Sequence, residues 1–294
     1  MAVTGSHGLI GTALTSRLAA GHDVVRLVRS EPALGDIEWD PRTGRLDAAE
    51  LAGVDAVVNL AGPGIGDHRW TDEYKREIRD IRVRATTLIA EAIATRDDGP
   101  RVLLSASGID YYGDHGAEEL DESSANGTSF LAGLCRDWEA ATAPAAAAGA
   151  RVVHLRTGMV LSSAGGALPK LLPLFKLGLG GRFGSGRQWV SWISIDDEIG
   201  AIEHLLTSDV RGPANLTAPG PVTNAEFAKT LGQVLHRPAV VPIPRFGPSL
   251  VAGREAADAL LYTGRRVLPR VLQADGFTHA HPDLTSALRA VLGR

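Results

Sequence analysis

Short runs of valine, leucine and isoleucine alternate with longer stretches in which apolar residues recur every three or four positions, and this alternation governs the first 160 residues. "MAVTG" reads as a strand leading into "LIGTALTSRLAAG", where Leu9, Leu14 and Leu18 share a helix face that Gly21 ends. "DVVRLVRS" and "DAVVNLAG" read as strands, the second closing on a glycine turn. From Tyr74 to Ala94 apolar residues fall at helical spacing beside an arginine-rich face. "RVLLSAS" is strand-like, "LAGLCRDWEAATAPAAAAG" helical, and "ARVVHLRTGMVL" a strand again. Apolar strands separated by amphipathic helices predict a parallel sheet covered on both faces, an α/β fold of the doubly wound Rossmann type.

The pattern changes after residue 163. "AGGALPKLLPLFKLGLGGRFGSGRQWVSW" carries seven glycines and two tryptophans, and "ISIDDEIGAIEHLL" then returns to strand and helix. Beyond Gly220 prolines become frequent, and "NAEFAKTLGQVL", "EAADALLYTGRRVL" and "DLTSALRAVL" read as short helices. The expected organisation is a sheet domain over 1–163, completed by about 190–218. A smaller, mostly helical substrate-side region is expected from 164–189 and 219–294.

At 294 residues, with 44% hydrophobic and 22% charged residues, the composition is that of an ordinary globular protein. A net charge of −4 gives no sign of a nucleic-acid or membrane-surface partner. The single cysteine, Cys135, excludes an internal disulfide and a cysteine-rich metal site and fits a reducing compartment. No charged leader followed by an apolar stretch opens the chain, and no apolar run approaches the roughly 18 residues of a membrane helix. A cytoplasmic location is the expectation.

"TGSHGLIG" places Gly5, Gly8 and Gly11 between the first strand and first helix. An isolated glycine triplet also fits a tight turn with no ligand. Directly after a strand and opening an amphipathic helix, it reads as a pyrophosphate cradle: Gly5 for the turn, Gly8 for close backbone approach, Gly11 for close helix packing. The end of the second strand, where an NAD site places an acid for the ribose hydroxyls, holds Arg29. A guanidinium pairs with a 2′-phosphate, so NADP (NADPH) is the expected cofactor, the alternative being a solvated loop arginine.

The spacing T-G-x-x-G-x-x-G, the "NLAG" turn at 59–62, and "RVLLSAS…YYG" followed by "HLRTGMVL" resemble the extended, sugar-nucleotide-epimerase-like branch of the short-chain dehydrogenase/reductase superfamily. Closer still is the atypical YfcH-like group of NAD-dependent epimerase/dehydratase family proteins. Its pattern matches "RW", "F-L-x-x-L-C-x-x-W-E", "R-T-G-x-V-L", "GLGG-x-x-GSG-x-Q", "SWI-x-I-x-D" and the C-terminal "P-x-V-L-x-x-x-GF" of a small domain of unknown role. The resemblance runs nearly end to end. It implies a seven-stranded Rossmann sheet with NADP across its carboxyl edge, against Ser6, Leu9, Ile10, Arg29, Leu60, Ala61, Gly62, Glu77, Arg82 and Val160. It also implies a homodimer and a small-molecule substrate.

Active members of that superfamily carry a Tyr-x-x-x-Lys pair, in which lysine holds down the tyrosine pKa so that tyrosine moves a proton near neutral pH. Four residues after Tyr74, Tyr111, Tyr112 and Tyr262 stand Ile78, His115, Gly116 and Arg266, so the pair is absent. Phe130, Leu131, Leu134 and Cys135 occupy the candidate places. Two substitutes are candidates. Ser107 matches the family's catalytic serine or threonine, or is a helix or turn cap. Tyr112 is a proton donor from the next loop, or packs under the nicotinamide. Cys135 reads as a small buried apolar group rather than a nucleophile. Glu77 and Arg82 lie five apart on a helix, so their cofactor-side role rests on the resemblance, against a solvated surface. Residues 178–186 lack the Lys-Ser/Thr ending of a P-loop and read as a hairpin over the substrate cleft. There Arg182, Arg187 and Gln188 either meet an anionic or sugar-like substrate or solubilise the hairpin tip. His154 reads as a satisfied core histidine, and no histidine–carboxylate grouping has metal-ligand spacing. The functional expectation is an NADP-binding oxidoreductase or epimerase using non-standard residues, with a non-catalytic cofactor sensor or scaffold as the alternative.

Overall fold

The computed structural model describes every residue except Glu31, and all but the side chain of Val251 among the rest. The sheet domain runs β1 (Ala2–Thr4), α1 (Leu9–Leu18), β2 (Val25–Val28), β3 (Ile37–Glu38), β4 (Ala56–Asn59), α2 (Asp72–Ala94), β5 (Val102–Gly108), β6 (Glu119–Leu120), α3 (Phe130–Ala140), α4 (Ala143–Ala147) and β7 (Arg151–Thr157). It continues through β8 (Met159–Leu161), α5 (Leu168–Lys176), β9 (Trp189–Val190), β10 (Trp192–Ser194), α6 (Ile195–Thr207) and β11 (Gly212–Leu216). The chain ends with β12 (Val222–Thr223), α7 (Asn224–Leu235), α8 (Phe246–Ala252), α9 (Arg254–Ala257), β13 (Arg266–Val267), α10 (Arg270–Ala274) and α11 (Leu284–Leu292).

Seven parallel strands form the central sheet in the order β11-β7-β5-β4-β1-β2-β3, a Rossmann-type α/β arrangement. Val3, Val58, Leu104, Val153 and Ala214 point to one face, where α1 and α6 bring Leu14, Leu18, Ile202 and Leu205. Ala2, Val57, Leu103 and Val152 point to the other, against Ala85, Ile89 and Ile93 of α2 and Ala145 of α4. A third core, around Phe175, Trp192, Phe227, Leu231 and Leu288, joins α5, α7 and α11 beside the sheet.

Four expectations change. The strand read over 150–161 divides at Gly158, because a Cβ there would stand 2.8 Å from the Ser191 carbonyl oxygen and 2.9 Å from Thr217. β8 leaves the main sheet to pair with β10. The helix read over 131–149 breaks after Ala140, and α4 restarts with Pro144 in its first turn, where proline's missing N–H costs no bond. Residues 178–186 form no hairpin: β9 pairs antiparallel with the distant β12, and Phe183 bridges Ile243. The helix read over 255–268 ends at Tyr262, and Arg266–Val267 pairs with β6 instead.

Candidate functional site

The first turn is built by glycine. Gly5 has φ +64°, a left-handed conformation, and a Cβ there would meet the Leu60 carbonyl oxygen at 2.7 Å. A Cβ at Gly11 would lie 2.2 Å from the Gly5 carbonyl oxygen. The third glycine therefore lets α1 close on the turn itself rather than on the sheet. Gly8 caps α1 without a side-chain hydrogen bond. The first N–H groups of the helix thus point out of the carboxyl edge of β1 with no side-chain acceptor, where the helix dipole favours an anion.

Of the other residues expected to face a dinucleotide, Leu60 and Ala61 stand directly against that turn. Ser6 is buried beside His7, and Leu9 lies under Gly165 and Gly166, with Val160 contributing its carbonyl to the same corner. Ile10, Leu60 and Val160 are partly buried against the core. Arg29 is exposed just beyond β2. Glu77 pairs on the surface with Arg42 at 3.2 Å. Arg82 is 6% exposed, and its guanidinium donates to the carbonyls of Pro63 (2.6 Å) and Ile78 (3.0 Å) and lies 5.0 Å over the Trp138 ring. No carboxylate pairs with it among the described residues, its Nε has no partner, and burial pulls its pKa down to about 10. A buried cation with an orphaned donor beside the Gly62–Pro63 turn fits an anionic or polar ligand.

Two polar rows cross the sheet on the α2–α3 face. Thr4, Asn59, Ser105 and His154 lie in register. Two residues nearer the carboxyl edge, Ser107, Arg156 and Asn215 do the same. A step of two keeps both rows on one face. In the first row the Thr4 hydroxyl donates to Asn59 Oδ1 (2.8 Å) and accepts from the N–H groups of Leu60 (3.0 Å) and Ala61 (3.1 Å). Asn59 Nδ2 donates to Thr86, which also accepts from the Trp138 indole. This network sets the turn after β4 against the glycine turn.

The second row is ionic. Arg156 makes a bidentate pair with Glu139 of α3, at 2.8 and 2.9 Å, both side chains being nearly buried. Burial opposes the arginine's charge, but the bonds to Glu139 outweigh it and hold Arg156 above its ordinary range. Ser107 donates to Glu139 Oε1 at 2.7 Å, leaving its oxygen lone pairs for a second group. His154 lies behind Glu139, bonded to Thr142 at 3.0 Å, and burial lowers its pKa.

Tyr112 does not face the cleft as a donor would. It is fully buried, its hydroxyl donates to Asn215 Oδ1 (2.6 Å) and accepts from Arg156 (3.0 Å), and burial pushes its pKa up to about 12. Its proton is committed inside the protein. Cys135 is equally shut in, its thiol pushed up to about 12 by burial, which removes it as a nucleophile. Beside β9 a pocket of about 320 Å³ is bounded by Asp114, Arg187, Gln188, Trp189 and Tyr262. The Gln188 amide is spent on the carbonyls of Phe183 and Leu261, making it a brace of the wall. Arg182 and Arg187 are exposed.

A family model described as the NAD dependent epimerase/dehydratase family matches residues 1–217, and one for a domain of unknown function, DUF1731, matches residues 243–291. The chain belongs to the NAD-dependent epimerase/dehydratase family. Epimerase family protein Mb2239 of Mycobacterium bovis is 45% identical over 291 residues, 98% of this chain and 96% of that protein. The crystal structure of human epimerase family protein SDR39U1 with NADPH is 38% identical, covers 99% of this chain and 98% of that one, and has a TM-score of 0.90. A nucleoside-diphosphate sugar epimerase from Corynebacterium glutamicum has a TM-score of 0.81 at 39% identity, covering 99% of this chain and 57% of that one.

Within the epimerase-family fold, several residues of this edge escaped the sequence reading. Glu139 and Arg156 sit inside the motifs "CRDWE" and "HLRTG", and the readable signal was a charge in an otherwise apolar strand. Glu198, in the first turns of α6, is wholly buried; it accepts from Thr157 at 2.9 Å, its other oxygen has no partner, and burial raises its pKa to about 8. Among the described residues no group of three or more His, Cys, Asp or Glu side chains could hold a metal, and no helix is long and apolar enough to cross a membrane.

Proposed function

We propose that this chain binds NADP(H) and acts as an oxidoreductase or epimerase on a small polar molecule without a Tyr-x-x-x-Lys pair. The observation that carries the reading is Arg29 beyond β2, where an NAD site would hold an acid. The likeness to the human protein crystallised with NADPH supports it. The N–H groups at Gly8–Ile10 and the Ser6 corner hold the pyrophosphate, Arg29 the 2′-phosphate, and Leu60–Gly62 with Glu77 and Arg82 the adenosine side. When bound, the dinucleotide gives or takes a hydride. Ser107, its own O–H given to Glu139, accepts from a substrate hydroxyl at the carboxyl end of β5 and keeps the reacting carbon in line. Tyr112 acts one step back, fixing Arg156 and Asn215. Arg182 and Arg187 face the substrate.

Fluorescence titration with NADPH and NADH tests the cofactor assignment. At least tenfold tighter NADPH binding is expected; no binding, or a preference for NADH, refutes it. A metabolite screen following loss of reduced-cofactor absorbance tests the reaction. A second reading, a non-catalytic NADP(H) sensor or scaffold, is favoured by buried Leu131, Leu134 and Cys135 among the candidate places for the usual pair and by the committed proton of Tyr112. Hydride transfer to any substrate counts against it. The resemblance also implies a homodimer, which light scattering checks.

A further inference from the structure

The chain carries a net charge of −4, yet that charge is unevenly laid out. Segments 164–188 and 227–250 together contain seven Lys and Arg residues and no Asp or Glu. The fold brings these two segments side by side. Arg237 Nε donates to the Lys176 carbonyl at 3.1 Å, a Cβ on Gly178 would touch Pro238, and the Ile243 N–H donates to the Arg182 carbonyl at 2.8 Å. A predominantly basic face results, in which Asp258 partly counters Arg245 at 3.3 Å and Glu226 partly counters Lys229.

The same face exposes apolar side chains. Leu177 is 72% exposed, Val240 82%, Phe246 69% and Leu250 69%, and Leu174 and Leu179 beside Leu177 in sequence are exposed as well. Phe246 and Leu250, four apart on α8, share one side of that helix. Beside Val240 an open groove of about 580 Å³ is lined by Lys229, Gln233, His236 and Arg237. Isolated exposed leucines need no explanation, but a group set among cations that outnumber the neighbouring acids does.

We infer that this face docks on an anionic bilayer surface, with Leu177, Val240, Phe246 and Leu250 entering the headgroup–acyl boundary and Lys176, Arg237 and Arg245, none of them part of the proposed substrate site, meeting lipid phosphates. Charge complementarity selects an anionic partner. Two copies of this basic face would repel one another, which argues against self-association here. Exposed Leu and Phe side chains beside Lys and Arg have the composition of faces that lie in the headgroup region of a bilayer. The attachment is peripheral, since no described helix is long and apolar enough to span a membrane. The inference does not depend on the cofactor or the reaction.

The test is vesicle flotation of the full chain at low and high salt. Vesicles of phosphatidylcholine with phosphatidylglycerol should carry the protein at least tenfold more strongly than phosphatidylcholine alone, and high salt should release it. Leu177→Glu with Phe246→Glu, both at exposed positions, should abolish flotation while leaving NADPH titration and the melting curve unchanged. Lys176→Glu should weaken flotation severalfold. No flotation on anionic vesicles overturns the inference, as does unchanged flotation of the double variant. Full competition by soluble polyglutamate with the double variant still binding would mean an acidic protein partner, and a dimer in sedimentation that Leu177→Glu dissociates would mean a second copy; either overturns it.

Discussion

Glu139 and Arg156 are each other's main compensation in a nearly water-free site, so removing one charge leaves the other stranded. Glu139→Gln should cost about 3–5 kcal/mol in denaturant unfolding, whereas Glu139→Gln with Arg156→Met should recover most of that loss. Glu198 behaves in the opposite way, because its carboxyl is buried with only Thr157 to bond it. Its pKa near 8 lies above the roughly 4.3 of an unfolded glutamate, so the folded chain keeps a proton that the unfolded chain has released. Stability from this group is therefore intact below about pH 4, declines as pH rises toward 8, and levels off above. Glu198→Gln should flatten that part of the stability–pH profile and stabilise the protein at neutral pH, on the order of 3 kcal/mol. At the cofactor edge, Arg29→Ala should weaken NADPH tenfold or more by titration while leaving NADH within about twofold, since only a 2′-phosphate can use the guanidinium.

Elements were legible where one periodicity ran without interruption. The glycine turn, α1, α2, β4, β5 and α7 were read near their observed places because propensity, spacing and caps agree there. The misread elements are those decided by contacts distant in sequence. Nothing local marks Gly158 as the division between β7 and β8; the Ser191 and Thr217 backbones and side chains that crowd it arrive 33 or more residues later. Likewise the pairing of Arg266–Val267 with β6 depends on residues almost 150 positions earlier. The candidate site divides the same way. Its glycine turn is a local motif, whereas the in-register row Ser107, Arg156 and Asn215 exists only once three strands are aligned. Gly158→Ala supplies a direct measure of that nonlocal constraint. Its Cβ would overlap the Ser191 carbonyl, so a loss of about 1–3 kcal/mol is expected, read as a lowered melting temperature. Gly21→Ala is the control: a Cβ there meets nothing within 4 Å and, as at Gly158, φ is not in the left-handed region, so little loss is expected.

Across the whole molecule, the family match over residues 1–217 and the C-terminal match over 243–291 suggest two separable pieces, but the contacts between them are those of one core. Asp197, buried at the start of α6, accepts from the backbone N–H groups of Ala280 and His281. Asn215 of β11 donates to the Leu268 carbonyl, His279 bonds the Thr217 carbonyl at 3.0 Å, and the Ser191 hydroxyl donates to the Arg265 carbonyl. Cutting after residue 217 would leave Asp197 and Asn215 without these partners and expose Trp192 and Leu161, which are fully buried against α7 and α11. Each stranded buried polar group costs about 1–3 kcal/mol, and the uncovered apolar surface adds to that, against a total stability of about 5–15 kcal/mol for a domain. The expected result is that chain 1–217 is insoluble or lacks a cooperative melt, while the full chain gives a single calorimetric transition whose van't Hoff and calorimetric enthalpies agree. Two resolved transitions in the full chain, or a truncated chain that melts cooperatively and titrates with NADPH at full affinity, would show that the sheet domain stands alone and that the C-terminal helices are an attachment to it.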